Sequence, residues 1–213
     1  MSGHADELRP PLPWGYFSVV STYRIVCGLL TRAPPVSLAS LGALTLLPLL
    51  LFRVLSLYDP QLTGTGHQPR GFDQYATTYN HYLVERLRFS VDFTSQQGAT
   101  VIVGCALRRT FTASTTLTDY IEQGDVWYKP LANDSGGPSV ATIKGTTDPF
   151  RFLGIHRSDT DRMEALTSTN PDEEMYLHVF VASNGVTEPA SVYANATLDY
   201  TALFREKKVL AQS

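Results

Sequence analysis

The sequence predicts an all-β protein: a single jelly roll, which is an antiparallel two-sheet sandwich, with short helices in its loops. Three observations lead to this prediction. Several segments beyond Arg53 alternate apolar and polar residues with a period of two, as half-buried strands require. Helical patterns are few and short, and turn-forming residues separate the strand-like segments. Many strands with few helices are typical of a sandwich or a jelly roll.

Composition sets the limits within which this fold must be built. The chain has 213 residues, 43% hydrophobic and 17% charged, which is enough for one domain with a substantial core and argues against disorder. The net charge of −3 excludes an overall basic surface, although a local basic patch stays open. Two cysteines, Cys27 and Cys105, exclude a disulfide scaffold and a four-cysteine zinc site, and we expect both as buried free thiols.

The N-terminal quarter differs from the rest in composition. A strand is predicted within Val19–Leu30, and Val36–Phe52 follows as an uncharged, strongly apolar run. Roughly 20 apolar residues cross a bilayer, so this run is either a membrane anchor or an arm or strand buried in a protein assembly. The predicted organisation is an N-terminal arm at 1–51, a jelly-roll domain at 52–205 and a C-terminal tail at 206–213.

Two long segments in the middle of the chain are predicted to form a hairpin. His81–Ser95 alternates, with Leu87, Phe89 and their period-two neighbours on one face and Arg86 and Arg88 on the other. Gln96-Gln97-Gly98 then indicates a turn into the continuous apolar strand Ala99–Leu107. Such a pair is expected to be antiparallel and adjacent.

The C-terminal half supplies the remaining strands. Glu174–Ser183 is apolar on both faces, which predicts a central strand, and Ser191–Phe204 is the clearest amphipathic strand of the chain. Weaker strands are predicted at Phe52–Tyr58, Val126–Leu131, Ser139–Gly145 and Phe152–Ile155.

Short helices are predicted at two places. Gly71–Asn80 is one, with the region of Asp73 as its cap. Leu117–Gln123 is the other, with Thr116 as its N-cap and Gly124 as its stop.

Motifs for catalysis are missing from the sequence. The five histidines show no H-x-H, H-x-x-x-H or H-E-x-x-H spacing, and neither a G-x-S-x-G elbow nor a G-K-[ST] loop occurs. His178 falls in mid-strand, so we expect it to pack within a sheet. The sequence therefore predicts no catalytic residue, no metal site and no cofactor, and the chain is not expected to be an enzyme.

A basic strip is the candidate binding feature. Arg86 and Arg88 share one strand face, and Arg108 and Arg109 end the other strand of the predicted hairpin. If that hairpin pairs closely, all four form one positive strip, and the planar guanidinium suits phosphate contacts. The two hypotheses are contact with nucleic acid and ordinary solvated charge, since acidic neighbours such as Asp92 partly neutralise the strip.

The most specific feature is a composite motif within Leu57–Val84. Four elements follow one another in it: Tyr58-Asp59-Pro60, Thr63–Pro69, Gly71–Gln74 and Tyr79–Val84. In this order they resemble a signature in capsid proteins of circovirus-like, Rep-encoding viruses with circular single-stranded DNA. Weaker matches extend the resemblance over Phe52–Phe204: Thr147–Phe150 with Phe152–Ile155, Asn170-Pro171, and Leu198-Asp199-Tyr200.

This resemblance implies a structural function. Such a protein is a single jelly roll whose copies, about 60, self-assemble into a small icosahedral shell around a single-stranded DNA genome. Its location would be the virion, with the host nucleus as a site of assembly. Capsid proteins of this family commonly begin with an Arg/Lys-rich arm, whereas residues 1–60 here hold four basic residues. Packaging through another surface is one of the alternatives that this departure leaves open.

Two other functions remain open from the sequence. One is a membrane-anchored β-sandwich ectodomain, with Val36–Phe52 as the anchor and the N-x-[ST] sequons at Asn133 and Asn195 exposed. The other is a carbohydrate-binding jelly roll, because lectins share this architecture.

Overall fold

The computed structural model of the protein describes residues 15–22, 46–62, 68–97, 101–114, 116–131, 139–183 and 191–208. These residues form nine strands and three short helices. The strands are β1 (Gly15–Thr22), β2 (Leu46–Arg53), β3 (Tyr79–Gln97), β4 (Val101–Arg108), β5 (Val126–Leu131), β6 (Ser139–Thr147), β7 (Glu164–Leu166), β8 (Tyr176–Ser183) and β9 (Ser191–Lys207). The helices are α1 (Phe72–Thr78), α2 (Leu117–Glu122) and α3 (Pro149–Leu153).

The strands form two antiparallel sheets with a jelly-roll order. One sheet runs β1-β9-β3-β6, with the short β7 also paired to β3, and we call it the first sheet. The second sheet runs β2-β8-β4-β5. The chain passes back and forth between these two four-stranded paths, as the double Greek key of an eight-stranded jelly roll requires. The predicted fold class is thereby confirmed.

The main core lies between the two sheets. Alternate residues of β3 and β9, such as Leu87, Phe89 and Leu198, are buried there against Val103 of β4 and Val179 of β8. The intervening residues of β3 face outward, as the period-two pattern predicts. The outer face of the second sheet is covered differently, because α2 packs on it through a second apolar cluster.

The predicted β3–β4 hairpin is wrong. β3 pairs with β9, β6 and β7, whereas β4 pairs with β8 and β5, so the two strands belong to different sheets. Alternation in the sequence reports which face of a strand is buried, but it carries no information about the neighbouring strand. β4 is buried along almost its whole length, which suits an interior position in the second sheet.

The N-terminal strands change the predicted division of the chain. β1 pairs with β9 and β2 pairs with β8, so residues on both sides of position 52 belong to the sheets, and the division into 1–51 and 52–205 does not follow the fold. The last part of the Val36–Phe52 run is β2 in the second sheet, which disagrees with its use as a membrane anchor. Within the described ranges, no helix has the length and apolar character to cross a membrane.

Three predicted strands have different bounds in the structure. β1 ends at Thr22, so only part of the segment predicted from Val19 onward is strand, and residues 23–30 lie outside the described residues. Of the strand predicted at Phe52–Tyr58, only the first two residues are strand, because β2 ends at Arg53. β9 continues to Lys207, so the expected tail at 206–213 begins inside a strand.

Of the two predicted helices, α1 begins differently from the prediction and α2 begins as predicted. The N-cap of α1 is Gly71, whose φ of 89° is in the left-handed region that favours glycine, and Asp73 lies in the first turn without capping it. The predicted Thr116 cap of α2 is confirmed, since its Oγ1 accepts a hydrogen bond from the Asp119 amide at 3.2 Å.

α3 overlaps the strand predicted at Phe152–Ile155, since Phe152 and Leu153 belong to the helix. Asp148 caps it by accepting hydrogen bonds from the amides of Phe150 and Arg151, Pro149 is its first residue, and Gly154 ends it at a φ of 72°. An Asp-Pro start with a glycine stop is a helix signal, and it overrides the apolar character of Phe152–Ile155.

Candidate functional site

The segment with the composite motif begins as a tightly bonded loop after β2. The Arg53 side chain forms an ion pair with Asp59, and its Nε lies 3.5 Å from Oε1 of Glu174. The Arg53 amide also donates to the Pro60 carbonyl at 2.7 Å. The Tyr58-Asp59-Pro60 element therefore folds back onto the end of β2, where a charge pair and a backbone bond hold it in place.

A second set of hydrogen bonds joins this loop to the segment before β8. Ser56 Oγ donates to Oδ1 of Asn170 at 2.6 Å and accepts from the Asp59 amide at 2.9 Å. The Tyr82 hydroxyl donates to the Thr169 carbonyl at 3.0 Å. Ser56 thus links the Tyr-Asp-Pro element to the Asn-Pro element, which lies more than 100 residues away in sequence. Residues 63–67 of the motif lie outside the described residues.

Aromatic side chains from the rest of the motif pack on the ends of β3 and β9. Phe72 of α1 is buried and meets Tyr82 edge-on, with ring centroids 5.5 Å apart. Tyr75 stacks on Phe204 of β9 at 4.9 Å. These contacts bury large aromatic surfaces, so the motif residues stabilise the junction between β2, α1, β3 and β9.

The structure separates the four arginines that were predicted to form one strip. Arg86 and Arg88 lie exposed on the outward face of β3 in the first sheet. Arg108 and Arg109 lie at the end of β4 in the second sheet, where Arg109 is exposed and donates to the Leu153 carbonyl at 2.7 Å. The single strip required a β3–β4 hairpin, which does not form. Asp92, on the same outward face as Arg88, accepts a hydrogen bond from Thr142 at 2.6 Å.

Arg108 is buried and bound to the protein itself. It donates to the backbone carbonyls of Tyr120 at 2.7 Å and Gly124 at 2.8 Å, and its guanidinium lies 4.9 Å from the centre of the Tyr120 ring. Burial lowers the pKa of Arg108, and the neighbouring Tyr120 and Asp125 act in the opposite direction. Arg108 therefore holds α2 and its C-terminal turn to β4, which leaves it unsuited to contact a phosphate.

His178 lies beside this arginine, and both of its ring nitrogens have partners. Nε2 is 2.8 Å from the Thr110 carbonyl, which can only accept, so Nε2 carries the proton. Nδ1 then accepts a hydrogen bond from the Tyr120 hydroxyl at 2.8 Å. Burial, followed by the charge of Arg108, lowers the pKa of His178, while the bond to Thr110 opposes the shift. The prediction that His178 packs within a sheet is confirmed.

A groove that the sequence did not predict lies between the last strands of the two sheets. Residues of β5 and β6 line this open groove, which has a volume of about 640 Å³: Val126, Trp127, Tyr128, Lys129, Thr142, Ile143 and Lys144. Lys129 Nζ donates across the groove to the Thr142 carbonyl at 2.8 Å. The two aromatic residues and the lysine at Trp127–Lys129 are a signal of a binding surface that the sequence does contain. The sequence does not show that β6 lies beside them, because this depends on β5 and β6 each being the last strand of its sheet.

The described parts of the chain offer few side chains for binding other kinds of ligand, such as metal ions. There, no three His, Cys, Asp or Glu side chains are grouped so that they could hold a metal ion. Cys105 is a free, buried thiol, as predicted, and burial raises its pKa; Cys27 and Asn133 lie outside the described residues. Asn195 is exposed on β9.

Comparison with known proteins gives structural likenesses only. No family model and no curated protein sequence matches the chain. A structure of Desmodium yellow mottle tymovirus is 13% identical and covers 100% of both chains, with a TM-score of 0.45. A virus-like particle of the Macrobrachium rosenbergii nodavirus is 8% identical and covers 100% of this chain and 93% of that chain, with a TM-score of 0.45. A mud crab tombus-like virus is 11% identical, with 97% and 96% covered and a TM-score of 0.45. Similarity at this level decides neither family nor function.

Proposed function

We propose that this chain is a viral capsid protein whose copies self-assemble into a closed shell. The observation that carries the proposal is the place of the composite motif in a complete jelly roll. Viral capsid domains are among the main users of this architecture. The motif that resembles the capsid signature joins strands of both sheets, through the Arg53–Asp59 pair at β2 and the Phe72 and Tyr75 contacts at β3 and β9.

The surface offers several separate places for subunit contacts. Among the side chains that the structure describes, six large apolar ones are exposed, and they lie on loops, a helix and edge strands on different parts of the chain. They are Tyr58, Phe111, Ile121, Tyr128, Val140 and Leu166. A subunit of a closed shell meets several neighbours at once, and weak contacts of this kind become strong together once the shell closes.

The finer identity rests on the sequence resemblance. It supports a circovirus-like capsid of about 60 copies around a circular single-stranded DNA genome, located in the virion and assembled in the host nucleus. Arg86 and Arg88 are the proposed genome contacts, because both are exposed on one outward face. Arg109 is a separate exposed position, and Arg108 is withdrawn because its guanidinium is bound internally.

Sedimentation of the purified full-length chain over a range of salt concentrations tests the proposed function. We expect a fast, uniform species with a mass of about 60 chains, since multivalent closure favours one complete particle. Nucleic acid extracted after nuclease treatment should be digested by DNase and resist RNase. A chain that stays monomeric under all conditions would contradict the capsid proposal, and packaged RNA would contradict the DNA assignment.

The genome contacts have their own test. The double variant Arg86→Gln/Arg88→Gln should form shells of normal size with a lower absorbance ratio of 260 to 280 nm, because phosphate contacts are lost while the buried face of β3 is unchanged. Arg151→Gln/Lys207→Gln removes two exposed positive charges elsewhere and is the matched control. Equal packaging by both variants would remove Arg86 and Arg88 from the proposal.

A further inference from the structure

We propose that the groove between β5 and β6 binds single-stranded nucleic acid, with a base stacked on Tyr128 and phosphates held by Lys129 and Lys144. The inference rests on the proposed capsid function, because it assigns a place where the enclosed strand is held. It differs from the predicted arginine strip in its position and in its residues.

The shape of the groove suits a small, partly flat ligand. Its volume of about 640 Å³ falls within the roughly 300–1,000 Å³ that is typical of ligand sites. Ile143 is buried at its base, and Trp127 is fixed there by an edge-on contact with Phe89, with ring centroids 5.3 Å apart. The apolar floor is therefore formed before a ligand arrives.

The charge of the groove favours an anion. Two of the seven lining residues are lysines, and none of these seven is acidic. Lys144 is exposed on the outward side of β6. Lys129 directs one N–H to the Thr142 carbonyl at 2.8 Å, and an ammonium group has three donors, so two remain for a phosphate.

Aromatic surface adds a contact that an isolated phosphate would not use. Tyr128 is 48% exposed and stands at the rim of the groove. Bases of any sequence stack on such side chains, and a basic groove with aromatic platforms is how proteins hold single strands without reading their sequence.

The register of β6 links the groove to the proposed genome contacts. Lys144 lies opposite Ser90 of β3, and Arg88 lies opposite Thr146 of β6. Lys144 and Arg88 are thus diagonal neighbours on one outward face, about 7–8 Å apart by the geometry of paired strands. A strand that leaves the groove over β6 reaches Arg88 next.

A peptide strand is the less suitable occupant of the same edge. Pro130 of β5 has no amide hydrogen to donate to an added strand, and lysines on edge strands oppose pairing with another chain. These features leave the side chains, and not the backbone, as the binding surface.

Binding of fluorescein-labelled oligo-dT to the full-length chain, measured by anisotropy over a range of salt concentrations, tests the inference. Tyr128→Leu should weaken the affinity about 5- to 150-fold through the loss of one stacked base. Lys129→Gln/Lys144→Gln should make the slope of log K against log salt less negative by about 1.4, since each single-strand phosphate contact contributes about 0.7. Arg151→Gln/Lys207→Gln, with the same change in net charge, should keep the original slope.

Particles counted by microscopy in the same samples separate this inference from the proposed function. Shells with unchanged oligo-dT binding in the groove variants would overturn the inference and leave the capsid function intact. Binding that depends on Tyr128 and both lysines in a chain that forms no shells would support the groove and overturn the capsid function. An equal change in the slope of log K against log salt in the control variant would show unspecific attraction and overturn the inference. Lys129 and Lys144 are both exposed, so their replacement by Gln is not expected to prevent folding.

Discussion

His178 shows how one buried side chain makes stability depend on pH. Its neutral ring accepts from Tyr120 and donates to Thr110, and the Arg108 guanidinium lies close enough to disfavour a second positive charge. The pKa of His178 is therefore lower in the folded protein than in the unfolded chain. Between these two pKa values the unfolded chain binds more protons, so the free energy of unfolding must fall as the pH falls.

The expected result is a loss of stability as the pH decreases below about 6.5, by at most about 1.4 kcal/mol per pH unit, that levels off below the folded pKa. His178→Gln removes the titrating ring. The difference in the free energy of unfolding between the wild-type chain and this variant should therefore shrink as the pH falls through this window. Urea unfolding at a series of pH values measures it. A difference that stays constant from pH 7.5 to 5 would contradict the assignment of a neutral buried His178.

Two glycines are each covered by an aromatic ring from the neighbouring strand. Gly104 of β4 lies opposite Phe180 of β8, and Gly145 of β6 lies opposite Phe89 of β3. A Cβ atom added at either glycine would overlap the facing ring. The missing side chain thus provides the space into which the phenylalanine packs.

Gly104→Ala should lower the free energy of unfolding by about 1–3 kcal/mol, because the Phe180 ring has to move out of a packed cluster. Phe180→Leu alone should also destabilise, but the double variant should lose less than the sum of the two single losses, since the shorter side chain frees the space. Additive losses in a double-mutant cycle would show that the two residues are not coupled in this way.

At the scale of elements, α2 depends on Arg108 for its attachment to the second sheet. Its own six residues are too few to be stable alone, so packing and side-chain bonds must hold it. Leu117 and Tyr120 supply the apolar contact, with Tyr120 stacked on Phe180 at 4.7 Å. Arg108 supplies the polar contact by binding the carbonyls of Tyr120 and Gly124.

Arg108→Ala should therefore lower the free energy of unfolding by about 2–4 kcal/mol, because it leaves two backbone carbonyls without a charged donor and removes the contact with the Tyr120 ring. Arg88→Ala, at an exposed position, should change stability by less than about 0.5 kcal/mol. Denaturant unfolding of both variants provides the comparison. Equal stabilities would mean that Arg108 does not anchor α2.

The sequence predicted strands far better than it predicted their partners. β5, β6, β8 and β9 lie close to where alternation and apolar runs placed them, because burial of one face is a local property. The prediction of a β3–β4 hairpin was wrong because the choice of neighbouring strand depends on the whole chain. α3 was misread because its apolar residues concealed a helix start at Asp148 and Pro149.

The same distinction explains the candidate sites. Arg86 and Arg88 were placed on one outward face by alternation, and that placement is confirmed. Arg108 was misjudged because its partners, Tyr120 and Gly124, approach from α2. The groove was missed because Lys129 and Lys144 come together only when β5 and β6 end their sheets side by side.

At the scale of the whole molecule, the fold combines a sealed core with exposed contact points. The two sheets bury their facing sides, α2 covers part of the outer side of the second sheet, and the motif segment joins the strands at one end. Exposed apolar residues such as Phe111 and Val140 lie outside these contacts. Such a unit can associate with identical copies without changing its own core, which suits rigid assembly.

Electron cryo-microscopy of the purified full-length chain tests the central claim most directly, because it shows both the particle and the subunit. We predict closed shells of one size whose subunits have the strand orders β1-β9-β3-β6 and β2-β8-β4-β5. Monomers or open aggregates under all salt conditions would contradict the claim that this jelly roll is a capsid subunit.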